Sequence, residues 1–137
     1  MSIKKKRKKI DSYTAKKRKL RDECDDLWKQ IILKRYDYVC ELCGEDWRLT
    51  AHHYYFKGSV SHLRYELDNG ICLCGKCHAS LHWKGNDQKL VEDKIVKLRG
   101  TKWINRLKKK RANKPKYFTT TLGYYQEIKE ELLNKLK

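Results

Sequence analysis

Two cysteine knuckles constrain this chain more than anything else in it: Cys40-Glu41-Leu42-Cys43 and Cys74-Gly75-Lys76-Cys77, with thirty residues between them. Each Cys-x-x-Cys presents two thiolates from one tight turn, and four thiolates complete the closed tetrahedral shell of a structural Zn²⁺. A redox dithiol needs only one such pair. A metal also answers a problem of size, because a 137-residue chain with 37% charged residues has little apolar surface for a large core. Where the unfolded chain holds the ion poorly, metal binding becomes folding free energy.

The choice between zinc and disulfides depends on compartment. The opening stretch MSIKKKRKKIDSY has no apolar signal core after its basic run, and no apolar run is long enough to cross a bilayer. The chain is therefore expected to be soluble and cytoplasmic, where a repeated Cys-x-x-Cys reads as a metal site. Cys24 and Cys72 are left over. Both sit among apolar neighbours and read as small core hydrophobes.

The formal net charge is +17. Residues 1–21 carry eleven Lys/Arg against one Asp and residues 102–116 carry eight against none, which leaves the rest near neutral. Solvated tails or contact with an anionic membrane are the plainer readings of such runs. Two basic arms around a neutral centre instead suggest a polyanion whose phosphates they neutralise, DNA above all, with binding that weakens as salt rises.

Leu20, Cys24, Leu27, Trp28, Ile31 and Ile32 recur at helical spacing and predict one amphipathic helix from Ser12 to about Tyr36. From Val39 to Trp83 that period breaks, with turn signals at Cys43-Gly44, Lys57-Gly58 and Asn69-Gly70. A strand is expected over Arg48–Ala51, ending in His52-His53, and a short helix near the second knuckle. Asn86 or Asp87 then caps a helix through Leu90, Val91, Ile95 and Leu98, closed by Gly100. A second carries Trp103, Ile104 and Leu107 before Lys108-Lys109-Lys110-Arg111 and ends near Pro115. A last one carries Leu122, Tyr125, Ile128, Leu132 and Leu136. The sum is a single α+β domain: a basic arm and helix over 1–37, a metal-organised core over 38–85 and a helical extension over 86–137. The extension is expected to pack around the core or against a second copy, as a homodimer.

All five histidines fall between Ala51 and His82. A zinc closed by four cysteines has no place for them. His78 and His82 share one helical face and can converge on a second metal. His52 and His53, as strand neighbours, point to opposite sides, so one can reach a metal while the other faces a substrate. Asn69 is placed to fix the intervening loop through its amide. Singly, each has a duller reading, as a surface histidine or an ordinary Asn-Gly turn.

Together, Cys-x2-Cys, His-His and Asn-x4-Cys-x2-Cys-His-x3-His resemble the HNH endonuclease family over about Val39 to Trp83. The resemblance implies a zinc-stapled, treble-clef-like ββα-metal core, with Cys40, Cys43, Cys74 and Cys77 as the staple and helices on both flanks. It makes His52 and His78 ligands of a catalytic divalent metal, His53 the general base and Asn69 the residue that holds the base-bearing loop. His82 matches a further ligand found in some members. The implied reaction is DNA hydrolysis to 5′-phosphate and 3′-hydroxyl ends with Mg²⁺ or Mn²⁺, although imidazole ligands also suit Ni²⁺ or Zn²⁺. Lys57 and Arg64 lie in the loop where a cation can hold the scissile phosphate. The flanks, with "SHLRYELDNGICLCGKCHASLHW" ahead of a basic Trp-containing helix, look like small phage-encoded HNH proteins, including the NinG recombination type, and imply phage recombination or packaging proteins as partners. The rival reading is a non-catalytic zinc module that binds DNA or RNA, with structural histidines.

Overall fold

A computed structural model describes residues 9–83 and 87–137, and the side chains of all these except 82–83 and 87–88. The first eight residues of the basic arm, and Asn86 as a cap, lie outside the described residues. The elements are α1 (Ser12–Arg35), β1 (Thr50–His53), β2 (Gly70–Leu73), α2 (Gly75–Trp83), α3 (Asp87–Arg99), α4 (Thr101–Ala112) and α5 (Leu122–Leu136). The result is an α+β fold dominated by helices around one small sheet.

Asp11 starts α1, its carboxylate accepting from the Thr14 amide at 2.7 Å. The helix then buries Cys24, Trp28, Ile31 and Ile32 along one stripe, the three- and four-residue spacing that a single apolar face requires. It ends where Asp37 and Tyr38 turn left-handed, at φ 54° and 57°.

β1 and β2 pair antiparallel, with Thr50 opposite Leu73, Ala51 opposite Cys72, His52 opposite Ile71 and His53 opposite Gly70. The strand begins two residues later than expected. Arg48 takes a left-handed φ of 46°, which no strand accommodates, so the two histidines lie inside the pairing and not beyond it.

Strand alternation sorts β2 between two apolar clusters. Ile71 and Leu73 face a core with Leu63, Ile95, Trp103, Ile104 and Leu107, while Cys72 faces one with Cys24, Trp28, Ile32, Tyr125 and Leu132. The hairpin is thus sandwiched, with α3 and α4 on one face and α1 and α5 on the other. Burial pushes the Cys24 and Cys72 thiols up to about 11, which suits inert core residues.

Gly70 sets how closely α1 approaches. A Cβ there would crowd the Ile32 side chain and come within 2.9 Å of Trp28 Cζ2. On the other side, Arg99 donates to both Glu41 oxygens at 2.6 and 2.7 Å and to the Gly70 carbonyl at 2.7 Å. It therefore ties the first knuckle to the start of β2. Among the described residues no helix is long and apolar enough to cross a membrane.

Candidate metal centre and imidazole cleft

The knuckles meet. The Sγ atoms of Cys40, Cys43, Cys74 and Cys77 all lie within 4.8 Å of one another, with Cys43 and Cys74 at 3.5 Å. Sulfurs about 2.3 Å from a shared Zn²⁺ stand about 3.8 Å apart in a tetrahedron, so the donor set fits. Local turns produce this. Gly44, at φ 76°, folds its amide back onto the Cys40 carbonyl at 2.8 Å, and the Cys77 amide faces the Cys74 sulfur at 3.5 Å.

The thiols differ in acidity. Burial opposes ionisation of Cys40, yet amides around Cys74, Cys43 and Leu42 bring it down to about 7. Burial and the neighbouring thiols push Cys77 up. Four thiolates this close need a cation among them, and the cluster can hold a metal such as zinc.

The cleft beside it holds the histidines. His52 on β1 and His78 on α2 meet edge to face, ring centroids 5.9 Å apart. They line a cleft of about 480 Å³ together with His53, Phe56, Lys57, Ala51 and Leu81. His82 is also on α2, but its side chain lies outside the described residues. His62 is elsewhere, its Nε2 3.1 Å from the Lys110 carbonyl.

His53 is held on two sides. Its ring stacks on Trp28 of α1, with centroids 4.0 Å apart and planes 7° from parallel. Its Nε2 lies 2.8 Å from the Arg64 carbonyl. A carbonyl only accepts, so Nε2 carries the proton and Nδ1 keeps the lone pair. Burial holds the imidazole below its ordinary pKa, opposed by the bond to Arg64 and assisted by the charges of Lys57 and Arg64. The ring is therefore neutral near pH 7.

Asn69 is fully buried behind the cleft. Its Oδ1 accepts from the Tyr55 amide at 2.8 Å, and its Nδ2 donates to the Tyr55 and Leu63 carbonyls at 3.1 and 3.3 Å. One side chain thus clamps both ends of the loop after β1. Lys57 lies in the cleft, whereas the Arg64 guanidinium is paired in two places with Asp25, at 2.9 and 2.6 Å. Asp25 thereby secures the residue whose carbonyl holds His53. Sequence reasoning placed Trp28 only on an apolar stripe and did not single out Asp25 or Phe56.

No protein-family model, curated protein or solved structure matches the chain.

Proposed function

We propose that the chain is a metal-dependent endonuclease of the HNH type that hydrolyses DNA phosphodiester bonds, whether by nicking or by cutting double-stranded or branched DNA. The observation that carries this reading is His53: a neutral imidazole with its tautomer set by the Arg64 carbonyl, in one cleft with His52, His78 and Lys57. A binding module has no use for a base held this way.

In this reading Nδ1 of His53 takes a proton from the water that attacks phosphorus. Trp28 and the Arg64 carbonyl keep the ring from turning away. Lys57 balances phosphate charge, and Asn69 keeps the loop that carries Lys57 in register with β1. A divalent cation, Mg²⁺ or Mn²⁺, held by His52, His78 and His82, would supply Lewis-acid neutralisation of the phosphate and the departing 3′ oxygen. The four-cysteine zinc keeps a structural role. The basic segments over 1–21 and 102–116 contact flanking phosphates, which position the duplex without reading its sequence.

The rival reading is a zinc module that binds nucleic acid, for which the four-cysteine cluster alone suffices.

Neighbouring substitutions separate the two readings. His53→Ala keeps fold, divalent-metal affinity and DNA affinity but loses cleavage by about 10²- to 10⁴-fold, the range for removing a positioned base. His52→Ala loses cleavage together with affinity for Mn²⁺, measured by calorimetric titration. Cleavage of supercoiled DNA by His53→Ala at the wild-type rate overturns the endonuclease reading and leaves the zinc module.

A further inference from the structure

The loop after β1 brings to the cleft a side chain, Phe56, that the proposed chemistry does not use. Phe56 is 66% exposed, although it lines the cleft beside His52 and His53. Its ring lies over Gly58, where an added Cβ would come within 2.8 Å of the ring edge. The missing side chain therefore gives the phenyl a seat on the backbone. Lys57, its neighbour, lines the same cleft. One residue before Phe56, the Tyr55 ring packs against the core edge to face with Tyr54 and carries the Arg111 guanidinium of α4 4.6 Å from its centroid. Tyr55 is itself clamped at both backbone atoms by Asn69.

An isolated exposed phenylalanine is ordinary on a protein surface. This one shares a cleft with three imidazoles and a lysine, and an arginine-capped tyrosine precedes it in the chain. Aromatic faces flanked by cations are how proteins hold single-stranded nucleic acid, because every base has a face to stack and every linkage a charge to neutralise. The strip Tyr55-Phe56-Lys57 offers no side-chain amide or carboxylate to read a base edge. Inside a continuous duplex the bases are stacked on one another and unavailable to such a ring without an unstacking cost.

Building on the endonuclease reading, we infer that Phe56 and Lys57 form a stacking platform for an unpaired nucleotide next to the scissile phosphate. The substrate is then DNA with an unstacked base at the cutting site, as in a bulge, a branch or a junction with single strand, and not uninterrupted duplex.

Binding of the full chain, without added divalent cation, tests this. The probes are a DNA duplex carrying 2-aminopurine in a short bulge and the same sequence fully paired. Wild-type protein binds the bulged DNA about 10-fold more tightly and quenches its fluorescence, as one stacked base implies. Phe56→Leu loses the preference and the quench but keeps its affinity for paired DNA, while Phe56→Tyr retains all three. Equal wild-type affinity for both DNAs overturns the inference, as does an equal loss on both in Phe56→Leu, which would mark Phe56 as a general surface contact. Binding is read without cleavage, and cutting of the same DNAs is read separately with Mg²⁺ or Mn²⁺, so the two readings fail separately. Preference and quench in a chain that never cuts with Mg²⁺ or Mn²⁺ support the platform and sink the endonuclease. Cutting of paired and bulged DNA alike, without quench, does the reverse.

Discussion

The indole of Trp28 lies flat against the imidazole of His53, centroids 4.0 Å apart and planes 7° from parallel. The indole is itself anchored, its Nε1 donating to the Glu66 carbonyl at 3.2 Å. A helix that ends well before the strand begins thus forms one wall of the imidazole's seat.

Trp28→Leu leaves His53 free to pivot about its bond to Arg64. In the proposed nuclease its turnover falls by about 10- to 100-fold, the scale on which misplacing a reacting group acts. DNA affinity stays within about 2-fold, a split that single-turnover cleavage beside a binding titration reads directly. Trp28→Phe restores a flat face and most of the rate.

Gly70→Ala tests how tightly α1 sits on the hairpin. The new methyl meets Ile32 and, at 2.9 Å, Trp28 Cζ2, and overpacking of this kind costs about 1–3 kcal/mol. The urea midpoint falls accordingly. An unchanged midpoint means that α1 stands further from β2 than this packing requires.

Removing the structural metal should remove the fold. The purified protein is expected to hold one Zn²⁺ per chain, and Cys74→Ser to lose metal and cooperative unfolding together. Elemental analysis beside thermal melting decides it. A zinc-free, helical protein with the wild-type melting temperature contradicts the assignment.

Arg99→Ala strands the Glu41 carboxylate, since both side chains of this pair are only 9% exposed. Breaking a buried pair from one side costs about 3–5 kcal/mol. Neutralising the partner as well, in Arg99→Met with Glu41→Gln, recovers part of the loss. Equal destabilisation in the single and double variants would show that the charge pairing is not the source.

Deleting residues 1–10 removes six cations and leaves the cleft intact. The slope of log affinity for DNA against log salt becomes shallower by about 0.9 for each phosphate that the arm no longer neutralises, while cleavage at saturating DNA changes little. Parallel titrations of full-length and shortened chains over a salt series measure both. Identical slopes count against the arm as a partner of phosphates.

The periodic and punctuated parts of the fold were legible in the chain. α1 follows its stripe from Leu20 to Ile32, and α3 and α4 part at Gly100, whose φ of 90° gives the punctuation its physical cause. The four cysteines were legible because a ligand set is written in residue type and spacing. Relations across the fold were not. Asn69-Gly70 carries the signature of a turn, yet Gly70 has an extended φ of −95° and matters for the room it leaves to Ile32 and Trp28. Arg64 reads as a loop cation until the fold brings it to Asp25, 39 positions away. No local pattern records that the carbonyl of the same residue meets His53. The strand start moved because the left-handed turn at Arg48 is forced by no glycine.

α1 and α5 lie together on one face of the hairpin, joined where the Cys24 thiol donates to the Tyr125 carbonyl across 101 positions and where Lys129 pairs with Glu23 at 2.7 Å. On the ribosome α1 emerges well before α5, and contacts this distant must wait for the loop between them to close. The knuckles, the hairpin and the Trp28–His53 stack are all closer in sequence than α1 and α5, so none of them has to wait for α5 to be made. The four cysteines can therefore gather before α5 closes over α1. In the proposed nuclease the brace on α1, and so on Trp28, is complete only once α5 has docked.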